Sequence, residues 1–345
     1  MGDTNRDSGS TQGLKTKLAL AAAWLPVNAW HTLCGRPLLL PYYHLVSDKP
    51  APHAGPLYRF KSVAEFKRDL DFLLAHFQPI GLDDLLNHLR EHRPLPPRAF
   101  LLSFDDGFRE MAEVVAPILK AKGVSAAFFL NPAFIDNREL CLHQKAALLL
   151  GKLEDSSSAS LAEKIKRLFQ ENGITGNNVV STLKRIRYAD RAVLDQAAAL
   201  CNLHFDVFLK EQKPYLTSDQ IRALLRDGFT IGAHSMDHPF YGDLPLEEQL
   251  RQTRESVNFL QDKFGVSQRA FAFPHSDSQV SRAFFERAFG DGTLQISFGT
   301  GGLLRDTWPG HFQRFSMEKP PLPPAATVSR HYARRLLHGA VTHPG

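Results

Sequence analysis

Short apolar runs and amphipathic stretches alternate along most of this chain. The run at 38–45 (LLLPYYHL) is continuously apolar and ends near His44, which predicts a buried strand. Ser62 then precedes Phe66, Leu70, Leu73, Leu74 and Phe77 at helical spacing, so a serine-capped helix is expected. A second helix is expected around 82–89, and the Pro-rich turn at 93–97 leads into a strand at 99–104 (AFLLSF). Met111, Val114, Val115, Ile118 and Leu119 follow at i, i+3, i+4, i+7 and i+8, a helical stripe that Gly123 ends. The next strand is 124–130 (VSAAFFL). Strand, helix and strand at these lengths make a βαβ unit, and hence a parallel sheet.

Residues 138–213 break this rhythm. Their pattern is helical, interrupted by serines at 155–160 and a Gly/Asn turn at 173–178, and reads as an α-helical insertion. The alternation then resumes. Thr217 and Gln220 have capping-box spacing, and Gly228 ends that helix. A strand at 229–234, a long helix at about 246–264, a strand at 270–273, a helix around 278–289 and a strand at 293–298 follow. The predicted strands lie near residues 40, 78, 100, 126, 231, 271 and 295, seven in all. Strands alternating with helices around one core describe an α/β barrel.

The ends read differently. Residues 1–17 are polar and aperiodic, the pattern of a disordered tail. An N-terminal helix is expected over 18–36. Its apolar part, LALAAAWL, is shorter than the ~20 residues a membrane span needs. Two placements fit this helix, packing on the domain or a peripheral membrane contact. Lys15, Lys17 and the small-x-small triplet Val27-Asn28-Ala29 give a secretory signal as the competing reading, against which Trp24 and Pro26 stand. A cytoplasmic or membrane-peripheral location is therefore favoured over secretion. Residues 319–345 form a C-terminal extension whose basic stretch, with Arg330, Arg334 and Arg335, reads as a solvated helix.

Composition narrows the classes. The 345 residues carry 41 Lys+Arg against 36 Asp+Glu, a net +5 too diffuse to imply nucleic acid. With 43% hydrophobic and 22% charged residues the chain is a folded protein. The cysteines, Cys34, Cys141 and Cys201, are odd in number and far apart, so they read as buried free thiols rather than a disulfide framework or a Cys-rich zinc site. The 15 histidines are available as ligands or proton carriers.

Four chemical features fall at the C-terminal ends of predicted strands, the edge where parallel α/β folds assemble sites. In Phe104-Asp105-Asp106-Gly107 two adjacent carboxylates raise each other's pKa unless a cation is near, and the same sequence also suits a helix N-cap turn. In His234-Ser235-Met236-Asp237-His238-Pro239 two imidazoles at close spacing suit a divalent metal such as zinc, with Asp237 a further ligand or a turn cap. One Asp and two His form a two-His-one-carboxylate set, which leaves the other Asp free as general base toward a metal-bound water. Phe273-Pro274-His275 is a strand-ending turn that can present a backbone N–H to an oxyanion. Tyr43-His44 ends an apolar strand, where a histidine is either a satisfied core residue or a proton donor.

In this order and context the motifs resemble the polysaccharide deacetylase family, the NodB-homology domain of carbohydrate esterase family 4, over residues 37–318 with the 138–213 insertion. Ser103-Phe104-Asp105-Asp106-Gly107 is similar to the family's (T/S)FDDG motif, and His234-Ser235-Met236-Asp237-His238 to its H(S/T)xxH motif. The resemblance implies a distorted (β/α)7 barrel and a divalent metal, most simply Zn2+. It implies Asp105 as base, Asp106, His234 and His238 as ligands, and Ser235 as support for the metal loop. It places the N–H of His275, after Pro274, in the oxyanion hole. Two departures stand out. The aromatic and glycine that usually follow the third motif's proline are here His275 and Ser276, and no late Leu-x-His supplies an acid. A branch acting on poly-N-acetylglucosamine carries its acid in an early Tyr-His strand, which assigns that role to His44, with His311 the competitor. Arg314 is the expected partner of the base, with Arg269 the alternative.

The implied activity is hydrolytic removal of N-acetyl groups from an amino-sugar glycan. A non-haem iron oxygenase would use the same triad but leave Asp105 idle, and a glycosidase would leave the histidines idle. A carbohydrate-binding pseudoenzyme and a hydrolase of a non-sugar amide remain the competing readings. Because residues 44, 105–106, 234–238 and 275 must meet at one metal, the length that suggests two domains is expected to hold one barrel with additions.

Overall fold

Short runs of apolar residues, too short and too β-branched or aromatic for helices, become the staves of a barrel in the computed structural model, which describes residues 25–154, 159–318, 320–338 and 341–344. The strands are β1 (Pro41–Tyr43), β2 (Gln78–Pro79), β3 (Ala99–Phe100), β4 (Leu102–Phe104), β5 (Ala126–Leu130), β6 (Thr230–Ala233), β7 (Ala270–Ala272), β8 (Ile296–Gly299), β9 (His311–Gln313) and β10 (Phe315–Ser316). Eight of them pair in parallel in the order β10-β1-β4-β5-β6-β7-β8-β9. Strands β4 to β8 are buried at every residue, as parallel strands covered on both faces must be.

Only Arg314 separates β9 from β10. Its N–H donates to the Gly299 carbonyl at 3.1 Å, and the next N–H, of Phe315, donates to the Leu40 carbonyl at 3.0 Å. A single bent segment therefore bonds β8 on one side and β1 on the other and brings the sheet round on itself. Counted by passes of the chain, the barrel has seven staves, in agreement with the distorted (β/α)7 architecture expected. The membership differs from the expectation in one stave. The strand near 78 pairs only with β3, in a separate two-stranded sheet. The seventh stave is instead 311–316, which hydropathy passes over because a buried arginine sits in its middle.

The predicted caps form. Glu65 N–H donates to Ser62 Oγ at 3.2 Å and Ser62 N–H to the Glu65 carboxylate at 2.9 Å, opening the helix Val63–His76. Thr217 and Gln220 exchange the equivalent bonds ahead of Ser218–Arg226. Between β5 and β6 lie the helices Leu142–Leu153, Ala159–Glu171, Val179–Leu183, Val193–Leu200 and Phe205–Gln212. They share an apolar cluster of their own that includes Leu149, Ile165, Phe169, Leu183 and Leu194.

The basic C-terminal helix, Pro324–Leu337, is not solvated all round. Val328 and Tyr332 are buried on its inner face, and Tyr332 Oη lies 2.8 Å from His31 Nδ1 of the helix Val27–Leu33. The expected polar tail at 1–17, and the start of the N-terminal helix up to residue 24, lie outside the described residues. Among the described residues no helix is long and apolar enough to cross a membrane. The cysteines are all free, with Cys34 and Cys141 buried.

Candidate active site

Parallel staves deliver their C-terminal ends to one rim. Asp105 and Asp106 follow β4, His234 to His238 follow β6, Pro274 and His275 follow β7, and His44 follows β1. His44, Asp105, Asp106, His234, His238 and His275 all line one cavity of about 300 Å³, at the small end of ligand-sized pockets.

Asp106 Oδ1 lies 3.4 Å from His234 Nε2 and 3.2 Å from His238 Nε2. All three residues are buried, and Asp106 Oδ1 meets no hydrogen-bond partner of acceptable geometry. His234 Nδ1 is 2.7 Å from the Ala272 carbonyl, to which only an N–H can donate, so Nε2 is left with its lone pair toward Asp106. Three donor atoms that converge without bonding each other, one with its tautomer fixed from outside, fit a divalent cation. Burial pushes the Asp106 carboxyl up, but the two imidazoles overcome this and hold it well below the ordinary carboxylate range.

The loop carrying the histidines is held in strained conformations. Asp106, Ser235, His238 and His275 have φ of 76°, 64°, 65° and 58°, the left-handed region that L-residues usually avoid. Four such residues around one cavity mark a site whose backbone is determined by its surroundings. Part of that restraint is visible: His238 N–H donates to Ser235 Oγ at 3.0 Å, and the Asn131 amide donates to the His234 carbonyl. Asp237 faces away, accepting from Tyr188 Oη and from Gln252 Nε2, so it is no further member of the donor set.

Asp105 is the other half of the carboxylate pair. Arg314 grips it with two hydrogen bonds of 2.7 Å, Nη1 to Oδ1 and Nη2 to Oδ2, while Nη1 also reaches Ser103 Oγ at 3.0 Å. The guanidinium stacks 4.6 Å from the Tyr42 ring centroid. Burial alone raises the Asp105 pKa; Arg314 overcomes this and keeps it below the ordinary value. Arg269 bonds the Gly292 carbonyl instead, so Arg314 is the residue that meets Asp105.

Across the cavity, His44 Nδ1 lies 2.5 Å from Glu318 Oε2. Glu318 Oε1 accepts the N–H groups of His44 and Leu45 at 3.0 and 3.2 Å. Burial works to lower the His44 pKa, but the Glu318 carboxylate outweighs it and the net direction is up. His311 does not reach the cavity. Its side chain is fully buried, with Nδ1 2.7 Å from Ser297 Oγ and Nε2 3.1 Å from Asp277. The His275 N–H has no acceptor among the described residues, and its ring lies 4.5 Å from that of His238.

Several residues at the site escaped the sequence reading. Glu318 belongs to the segment after β10, and the register Tyr42↔Ser316 sets it level with His44. His143, from the insertion, brings its ring within 4.7 Å of His275, and Tyr58 and Lys184 complete the rim. Burial and the neighbouring His238 lower the His143 pKa to about 4, so this imidazole is neutral.

Comparison with known proteins gives the family and the fold. The profile of the family described as polysaccharide deacetylase matches residues 92–288. No curated protein matches the chain by sequence. Among solved structures, IcaB from Ammonifex degensii superposes with a TM-score of 0.54 at 15% identity, covering 86% of this chain and 98% of its own. The Streptococcus pyogenes deacetylase PplD in complex with acetate gives 0.54 at 12% identity, with the same coverages of 86% and 98%. A de-N-acetylase from Aggregatibacter actinomycetemcomitans gives 0.50 at 16%, covering 81% and 94%. These likenesses establish the barrel fold.

Proposed function

Because the chain belongs to the polysaccharide deacetylase family, whose members are hydrolases of non-peptide carbon–nitrogen bonds, we propose that it is a metal-dependent N-deacetylase of an amino-sugar glycan. The observation that carries this reading is the convergence of Asp106, His234 and His238 beside an Asp105 that is separately paired with Arg314. The two carboxylates sit in different environments and so take different tasks.

Asp106, His234 and His238 would hold the metal, and zinc suits this nitrogen and oxygen set. Bound there, it supplies Lewis acidity toward the acetyl carbonyl and lowers the pKa of a bound water from about 15.7 to about 7. Asp105 is then an adequate base: held as a carboxylate by Arg314, it takes the proton of the attacking water. The unpaired N–H of His275 donates to the oxygen that gains negative charge, a contribution of about 3–4 kcal/mol when such a donor is aimed well. His44, whose pKa Glu318 raises, delivers a proton to the departing nitrogen so that it leaves as a neutral amine. A cavity of about 300 Å³ admits a single acetamido sugar at the reacting position.

The test is acetate release from N-acetyl-chito-oligosaccharides by zinc-loaded protein, with metal content measured alongside. Asp105→Asn is expected to abolish turnover while keeping the metal. Loss of the metal in that variant would reverse the roles of the two aspartates. Glycan binding with no acetate released, across several acylated glycans and metals, would replace the enzyme with a binding protein.

A further inference from the structure

We infer that the protein carries a second metal centre, formed by Asp277, Asp306, His311 and His343 behind the loop that presents His275. One donor atom from each of these side chains lies within 4.8 Å of all the others. The four side chains are at most 3% exposed. His311 Nε2 is 3.1 Å from Asp277 Oδ2 and 3.7 Å from Asp306 Oδ2, and His343 Nε2 is 3.1 Å from Asp306 Oδ2. Ligands at ~2.0–2.1 Å from a tetrahedral zinc are separated by roughly 3.3 Å. The spacing is thus that of a ligand set, and close to the 3.2 and 3.4 Å found around Asp106.

Charge supplies a second, independent argument. Two other buried carboxylates face a permanent cation, Asp105 with Arg314 and Asp69 with Lys61 at 2.9 Å, whereas Glu318 faces His44 and Asp106 faces His234 and His238. Asp277 and Asp306 are as deeply buried, yet among the described residues neither forms an ion pair with lysine or arginine. Two adjacent desolvated carboxylates need a positive charge between them. A divalent cation with two neutral imidazoles balances them to zero.

The outer shell is arranged for the same end. Ser297 Oγ at His311 Nδ1 leaves Nε2 facing the cluster. Thr300 N–H at 3.1 Å occupies Asp277 Oδ1, and Trp308 N–H at 2.9 Å occupies Asp306 Oδ1. Both Oδ2 atoms face the cluster, where Gln313 Nε2 donates to them at 2.6 and 2.8 Å and lies 3.2 Å from His311 Nε2, and His343 Nε2 is 3.1 Å from both oxygens of Asp306. Gly299 is required here, because a Cβ would fall 2.4 Å from the Asp277 carboxylate. His343 arrives from the far end of the chain, whose Val341 N–H bonds the Arg305 carbonyl at 2.7 Å. With four protein ligands and no access from the cavity, the centre is structural. It would tie the C-terminal segment to the barrel and brace residues 275–277, since Thr300 Oγ1 also donates to the His275 carbonyl at 2.9 Å.

The experiment is metal counting by mass spectrometry on the full chain after zinc loading and desalting. Wild type is expected to hold two zinc ions, Asp106→Ala one, His343→Ala one, and the double variant none. Asp306→Asn is a second probe from another segment. His343→Ala lies near the chain end and keeps the test open if Asp306→Asn fails to fold. A wild type with one ion that Asp106→Ala removes would overturn the proposal, as would two ions retained in His343→Ala. One ion lost in His343→Ala but kept in Asp106→Ala would support this centre while removing the catalytic one, so the two readings fail separately.

Discussion

His44 and His311 are both imidazoles held by a carboxylate in the barrel wall, and they differ in what the rest of the ring meets. His44 follows β1, bonds Glu318 at 2.5 Å, and has a side chain 22% exposed toward the cavity. His311 lies in β9, bonds Asp277 at 3.1 Å, and is fully sealed against Phe273 and Phe285. A carboxylate partner is present in both, and access is present in one. A histidine–carboxylate pair is therefore no sign of catalysis by itself; the open side of the ring decides whether a proton can go anywhere. The same distinction separates the two aspartate–histidine clusters, one open to the cavity and one enclosed.

The largest expected effect tests that distinction directly. His44→Gln should lower kcat by about 10²–10⁴-fold, the usual worth of a positioned general acid. It also removes the side-chain partner of the buried Glu318 carboxylate, so some stability is lost as well, and kcat is the readout that discriminates. His311→Gln should cost stability without that loss of kcat. It leaves the buried Asp277 short of a partner and takes a donor from the sealed cluster, at a cost of at least about 1–3 kcal/mol in unfolding free energy, and it keeps the alkaline limb of the pH–rate profile in place. If His311→Gln removed that limb and His44→Gln did not, the assignment of the acid would be exchanged.

A smaller effect comes from the carboxylate behind His44. Glu318 raises the His44 pKa, and in the mechanism proposed the protonated ring is the form that acts as acid. Activity is then present at low pH on this limb and falls as pH rises through the raised value. Glu318→Gln removes the cause of the rise, so the alkaline limb of kcat/KM should move to lower pH, with a modest fall in kcat at the optimum. A limb that stayed in place would mean that another group donates the proton.

Much of this site was legible in the sequence because neighbours in the chain remain neighbours at a strand end. Asp105 and Asp106 reach one rim through one turn, and His234 and His238 through another. Arg314 was legible from its segment, though only the structure separates it from Arg269. Glu318 was not legible, since it meets His44 through the pairing of β10 with β1, 274 residues apart in the chain. The same pairing hides the seventh stave. A hydropathy pattern scores Arg314 as a surface residue, whereas here Asp105 neutralises it inside the barrel. The count of seven strands came out right with one wrong member, because Gln78–Pro79 is a strand of the small sheet. His143 required knowing which wall of the cavity the insertion forms.

The smallest effect concerns the join between the open and sealed regions. Thr300 belongs to both: its N–H bonds Asp277, and its hydroxyl bonds the His275 carbonyl at 2.9 Å. Thr300→Val keeps the shape and the backbone bond but deletes the hydroxyl. One neutral hydrogen bond is worth about 0.5–1.5 kcal/mol. If the sealed cluster only stabilises the fold, the variant should lose that much stability and retain its kcat. If the cluster also fixes the direction of the His275 N–H, kcat should fall by about two- to tenfold, since about 1.4 kcal/mol is a factor of ten, while KM changes little. We expect the second result, because the Thr300 hydroxyl is one of the restraints that hold the left-handed backbone at His275, and an oxyanion donor loses its value when it turns away from the charge. A fall in stability with no change in kcat would confine the sealed histidine and its partners to the fold.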